Sequence, residues 1–166
     1  MHALLALSLF LAPQTADEGG FRLVPATAEH GEQLTIGDPA TSPHYLFECG
    51  ERDVKIVQFG VTGLMDLTTG KKIEDAPGSQ ITPGAAFMAL FSGSGQPDLI
   101  PAEAAPNARK GWNLTIRLAK DDKSLRKLAK ANMMSLFTTG YTEAIAIGDA
   151  QRKLMGQFVE GCRGAK

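Results

Sequence analysis

An apolar stripe that ends on a cysteine does most to limit what this chain can fold into. In residues 147–162, Leu154, Met155, Phe158, Val159 and Cys162 recur at i, i+1, i+4, i+5 and i+8. That spacing places them on one side of a 3.6-residue helix and leaves the polar residues between them on the other. Asp149 is the expected N-cap, because a carboxylate there can accept from the free N–H groups of the first turn. The chain has two cysteines. The other, Cys49, closes the apolar run 45–49. If the two pair, a terminal helix is stapled to a strand across a loop of about 114 residues. The chain-entropy account assigns such a loop roughly 4–5 kcal/mol.

Whether they pair depends on the compartment, and the start of the chain bears on that. Residues 3–12 are ten apolar or small residues. This is too short to span a bilayer and matches the apolar core of a signal peptide. Export is expected, with residues 1–16 as the leader and 17–166 as a single globular domain. In a periplasmic or secreted location an even number of cysteines favours a Cys49–Cys162 disulfide. No Cys-x-x-Cys motif is present.

The chain of 166 residues is long enough for a real core, and 43% of its residues are hydrophobic. Strict alternation in residues 112–118 puts Trp112, Leu114, Ile116 and Leu118 on one face of a strand. Residues 45–49 and 54–59 flank the turn Gly50-Glu51-Arg52-Asp53 and form a hairpin. Residues 21–24 read as an edge strand, and residues 25–43 as an irregular segment with at most one short strand. Residues 64–67 read as a further strand, and the turn after it folds Ile73 back beside it. The continuous apolar run 85–91 suggests a central strand covered on both faces. From residue 92 to Gly111 the prolines and glycines predict loops, with Leu99 and Ile100 dipping into the core. Residues 133–137 and 141–147 are two more strands around a Thr-Thr-Gly turn. A short helix runs from Asp121 or Asp122 to Asn132. The expected fold is α+β: a mainly antiparallel β-sheet or sandwich of about seven strands, with that short helix and the C-terminal helix packed on the sheet.

Charge is divided unevenly along the chain. Residues 1–108 carry 5 Lys or Arg against 13 Asp or Glu, and residues 109–166 carry 12 against 5. Within the basic part, Lys123, Arg126, Lys127 and Lys130 stand at i, i+3, i+4 and i+7, opposite Leu125 and Leu128. On a helix they form one cationic face. An ordinary solvated face has this pattern, and so does a surface that contacts anions such as lipid headgroups, acidic polysaccharide or an acidic protein. Export and the near-zero net charge argue against nucleic acid.

Other motifs carry less. Ser92-Gly93-Ser94-Gly95 lacks the Gly-Lys-Ser/Thr ending of a phosphate loop and the Gly-x-Ser-x-Gly elbow of a hydrolase. His30, His44 and Glu48 could supply three zinc ligands, but their spacing does not select for it. Asp66, Glu74, Asp98 and Glu103 offer carboxylates for acid–base work without a ranking among them. Asn113-Leu114-Thr115 fits the glycosylation pattern. No metal or cofactor is expected.

A leader, a strand ending in Cys49, a strand beginning at Trp112 and a helix with Phe158-x-x-x-Cys162 form a layout that resembles small uncharacterised exported proteins of Gram-negative bacteria. The resemblance implies localisation and architecture and no activity. The expected function is a non-enzymatic binding or envelope-associated module, whose partner is an anionic envelope component or an acidic protein. The alternatives are a hydrolase whose catalytic residues the sequence does not single out and a secreted enzyme inhibitor.

Overall fold

The computed structural model describes residues 16–18, 20–37, 44–66, 69–75, 81, 86–91, 96–138 and 141–164. The expected leader core at 3–12 and the Ser92–Gly95 loop lie outside them. Among the described residues the fold has two antiparallel sheets and two helices.

The larger sheet has seven strands. They are β1 (Ala16–Glu18), β2 (Phe21–Val24), β3 (Gln33–Ile36), β4 (Tyr45–Cys49), β5 (Asp53–Val61), β8 (Glu103–Pro106) and β9 (Trp112–Ala119), in the order β1-β2-β3-β4-β5-β9-β8. The smaller sheet holds β6 (Phe87–Phe91), β7 (Asp98–Pro101), β10 (Met133–Thr138) and β11 (Tyr141–Ala146), in the order β11-β10-β6-β7. Between β9 and β10 lies α1 (Lys123–Leu128), and α2 (Asp149–Gly164) follows β11. The mainly antiparallel α+β class is as expected. Among the described residues the strands number eleven, against the seven or so expected for the whole domain.

The extra strands come from segments read as loops. β7 and β8 stand at sheet edges and end on Pro101 and Pro106. An edge strand tolerates proline, because its outward N–H needs no ladder partner. Conversely, residues 64–66 do not form a strand. They make an isolated bridge, Met65 with Lys72, while the Ile73 N–H donates to the Leu64 carbonyl at 2.8 Å, so Ile73 folds back as expected. The expected cleavage after Ala16 falls inside β1 and would leave Asp17 and Glu18 opposite Arg22 and Phe21.

One core joins both sheets and both helices. Alternation supplies its main-sheet layer. Leu34, Phe47, Ile56 and Ile116 are in register across β3, β4, β5 and β9, and each is buried. Met88 and Met134 enter from the second sheet. Gln58 is the polar exception in this layer. It is buried, and its amide donates to the Tyr45 hydroxyl at 3.0 Å.

The terminal helix buries the stripe read from the sequence. Leu154, Met155, Phe158, Val159 and Cys162 are its buried residues. Phe158 meets Phe47 edge-to-face with ring centroids 6.1 Å apart. The cap is one residue earlier than expected. The Gly148 carbonyl accepts from Arg152 N–H, and the Gln151 side chain reaches back to Gly148 N–H. This reciprocal bond follows capping-box logic. It places Asp149 in the first turn, where its carboxylate pairs with Arg152 and faces the positive end of the helix dipole.

Candidate functional site

Cys49 and Cys162 form a disulfide with Cα atoms 5.5 Å apart, inside the expected range. It fixes the last turns of α2 to the end of β4. Beside it lies a cleft of about 610 Å³, lined in part by His30, Glu32, Glu48, Glu51, Lys120 and Gly161. The segment before β3 forms one wall and is held close to the bridge, since Cys49 N–H donates to the Glu32 carbonyl at 2.8 Å. Gly31 is required there, because a Cβ would run into the Cys49 carbonyl. Glu32 also lies against Gly161 of α2, where a Cβ would collide with its carboxylate. Burial raises the Glu32 pKa above the ordinary carboxylate value. Glu48 is paired with Lys55, and His30 Nδ1 lies 2.8 Å from the Gly31 carbonyl, an arrangement that suits a donated Nδ1–H.

The cationic cluster is on and beside α1. Asp122 caps this helix, its carboxylate accepting from Ser124 N–H at 2.7 Å. Leu125 and Leu128 are buried and anchor the inner side. Lys123, Arg126, Lys127 and Lys130 are all exposed. The helix is shorter than expected. It stops at Leu128, so Lys130 lies in the turn beyond it and extends the cationic surface off the helix end. A second tie comes from Ser124 Oγ, which donates to Asp98 Oδ2 at 2.6 Å. That bond is the chief cause that lowers the Asp98 pKa, burial opposes it, and the charges of Lys123 and Lys127 add to the lowering. Among the described residues, none of the four cations has an ion-pair partner within 4.0 Å.

The remaining candidates are scattered. Asp66 closes a turn by accepting from Thr69 N–H at 3.1 Å. Asp98 is tied to Ser124, Glu103 is exposed on β8, and Glu74 lines a separate concavity with Asp75. None of the four carboxylates lines the cleft beside the disulfide. His44 is also outside that cleft, and among the described residues no group of three His, Cys, Asp or Glu is arranged to hold a metal. Asn113 accepts from the Asn107 amide at 2.6 Å and is half-buried. Sequence reasoning did not single out Glu32. Its only signal was a glycine on its N-terminal side, in a segment read as irregular. Among the described residues, no helix is long and apolar enough to cross a membrane.

Comparison of the chain with protein families, with curated proteins and with solved structures finds no match.

Proposed function

We propose that this chain is an exported, disulfide-stapled binding protein of the cell envelope, and that it contacts anions through Lys123, Arg126, Lys127 and Lys130. The observation that carries this reading is the exposure of four cations, none of them ion-paired among the described residues, around one short helix whose other side is fixed in the core. A helix anchored by Leu125 and Leu128, capped by Asp122 and tied to Asp98 holds its charges in place before a partner arrives. Less ordering is then lost on binding. An isolated exposed cation gains little from an anion, but convergent cations raise the local potential together. The disulfide fits an oxidising compartment, which is where the apolar run at residues 3–12 would direct the chain.

Retention on a dextran sulfate matrix tests the reading. The protein should bind at low salt and elute as salt rises, because the Debye length shrinks from about 30 Å at 0.01 M to about 8 Å at 0.15 M. Reversal of Arg126 and Lys127 to Glu should abolish retention without unfolding the protein. Retention unchanged by that reversal would make the cluster an ordinary solvated face.

A second reading has one observation in its favour. Glu32 has a pKa raised by burial and lines the cleft beside the disulfide, a setting suited to a general acid. In that case the protein is a hydrolase, and Glu32→Gln should abolish turnover in a screen of ester, peptide and glycoside substrates. The absence of turnover from the unmodified protein across that screen would remove this reading.

A further inference from the structure

A fifth cation stands beside the four on and after α1, and it comes from the other helix. Past α1 the chain tightens into a turn. There Lys130 N–H donates to the Lys127 carbonyl at 3.0 Å, and Ala131 N–H donates to the Leu128 carbonyl at 3.1 Å. The Ala131 carbonyl in turn accepts from Arg152 Nη1 at 3.2 Å. Arg152 lies near the start of α2, so this bond sets its guanidinium one residue along the chain from Lys130. The other arm of the guanidinium, Nη2, pairs with Asp149. The Asp149 side chain is fully exposed, and an ion pair open to water is held only weakly.

The carboxylates near α1 gather at its start. Asp121 and Asp122 precede Lys123, and Asp98 lies close enough to Lys123 and Lys127 to feel both charges. The cations continue the other way, from Lys127 past Lys130 to Arg152, where Asp149 is the carboxylate that answers them.

We propose that Arg152 is a fifth anion contact, that Asp149 is its built-in competitor, and that the ligand is a linear acidic polysaccharide lying along α1 and onto the start of α2. The proposal rests on the anion-contact reading above and names its ligand. Five cations strung over two helices suit a chain that repeats its charges, whereas a compact anion reaches one or two of them. A guanidinium can hold a sulfate or carboxylate through two parallel N–H bonds. The Ala131 bond already fixes the Arg152 side chain, so little ordering is lost when the ligand arrives. The ligand's anion then takes the place of the Asp149 carboxylate at Nη2, one charged acceptor for another.

Other polyanions fit less well. A peptide is recognised through a groove or pockets for its side chains, and the two described concavities include none of the five cations. An anionic bilayer gains most from apolar side chains that enter it beside the cations. Leu99, expected in the core, is instead 74% exposed. Asp98 turns toward Ser124 of α1, however, so its neighbour Leu99 turns away from the cations.

The far end of α2 supplies a matched control. Arg163 pairs there with Glu160 at the same i,i+3 spacing, about 16 Å along the helix axis from Asp149. Affinity for dextran sulfate is measured across a salt series up to about 0.1 M, where charges act over about 10 Å. Asp149→Asn should tighten binding roughly two- to fivefold, and Glu160→Gln should leave it nearly unchanged. Arg152→Gln should weaken binding by a similar factor, and Arg152→Lys should recover part of the loss. Damage to the fold cannot tighten binding, so Asp149→Asn decides the matter if Arg152→Gln fails to fold. Unchanged binding in Asp149→Asn, or equal tightening in both carboxylate variants, would overturn this proposal. The anion-contact reading would then still stand if reversal of Arg126 and Lys127 abolished binding. Polyglutamate or phosphatidylglycerol vesicles bound more tightly than dextran sulfate would overturn the choice of a polysaccharide. Failure of the unmodified protein to bind dextran sulfate at low salt would remove both readings.

Discussion

The outward faces of the two sheets differ in a way that neither sheet shows alone. On the main sheet Glu48, Lys55 and Arg117 stand in one register row across β4, β5 and β9. Glu48 pairs with Lys55, and Arg117 pairs with Asp53 at 3.2 Å. Leu46 and Val57 lie in that face too, but the charges on either side keep it wettable. The corresponding rows of the second sheet, through Leu99, Pro101, Ala144 and Ala146, carry no charge. The same chain thus builds one face with a charged row and one whose rows hold no charged residue.

The two regions should also differ in what a single substitution does. At the stapled end, Phe158→Ala removes a fully buried ring from its contact with Phe47 and should lower stability by about 3–5 kcal/mol in urea denaturation. Cys162→Ala removes the bridge and should cost about 2–5 kcal/mol. Thiol titration of the untreated protein should find no reactive cysteine, in keeping with the pairing of both.

Two carboxylates give a smaller contrast, of opposite sign. The Asp98 pKa is lowered, chiefly by the Ser124 hydroxyl. Its contribution is therefore present above the unfolded value, about 3.9, and is lost as pH falls through the lowered folded value. Asp98→Asn should weaken the fold at neutral pH and make little difference at pH 2. The Glu32 pKa is raised by burial, so its charged form opposes folding at neutral pH. That opposition fades as pH falls through the raised value. Glu32→Gln should stabilise the protein slightly at pH 7 and not at pH 3. Stability curves for both variants across this range check the signs.

The smallest effect belongs to the exposed face. Leu99→Gln should change stability by no more than about 0.5 kcal/mol, since Leu99 is already in water. A loss comparable with that of Phe158→Ala would mean that Leu99 is packed and that the two faces do not differ as described.

How legible these features were in the sequence depended on how local the signal is. The α2 stripe and the alternation from Trp112 to Leu118 depend on residues within one element, and both appear as read. The disulfide needed only two cysteines and a compartment. β7 and β8 were read as loop because Pro101, Pro106 and the flanking glycines look like breakers, and only the sheet order shows that these strands lie at edges. The helix cap shifted from Asp149 to Gly148 because a side chain three residues on, Gln151, supplied the competing bond. The run ending at Phe91 is apolar at every position from Phe87, so it could not show that one of its two sides faces a row with an exposed Leu99. Lys123, Arg126 and Lys127 were legible as a helical face, and Lys130 reached the same surface by way of the turn. The Asp98–Ser124 bond, which sets that surface beside β7, links residues 26 positions apart and leaves no local pattern.

Amide hydrogen exchange, measured with and without dextran sulfate at low salt, tests the anion-contact reading most directly. The account predicts slower exchange in residues 123–130 when dextran sulfate is present, with β1 to β5 unchanged. Unchanged exchange in residues 123–130, or protection confined to residues 25–32 beside the disulfide, would contradict it.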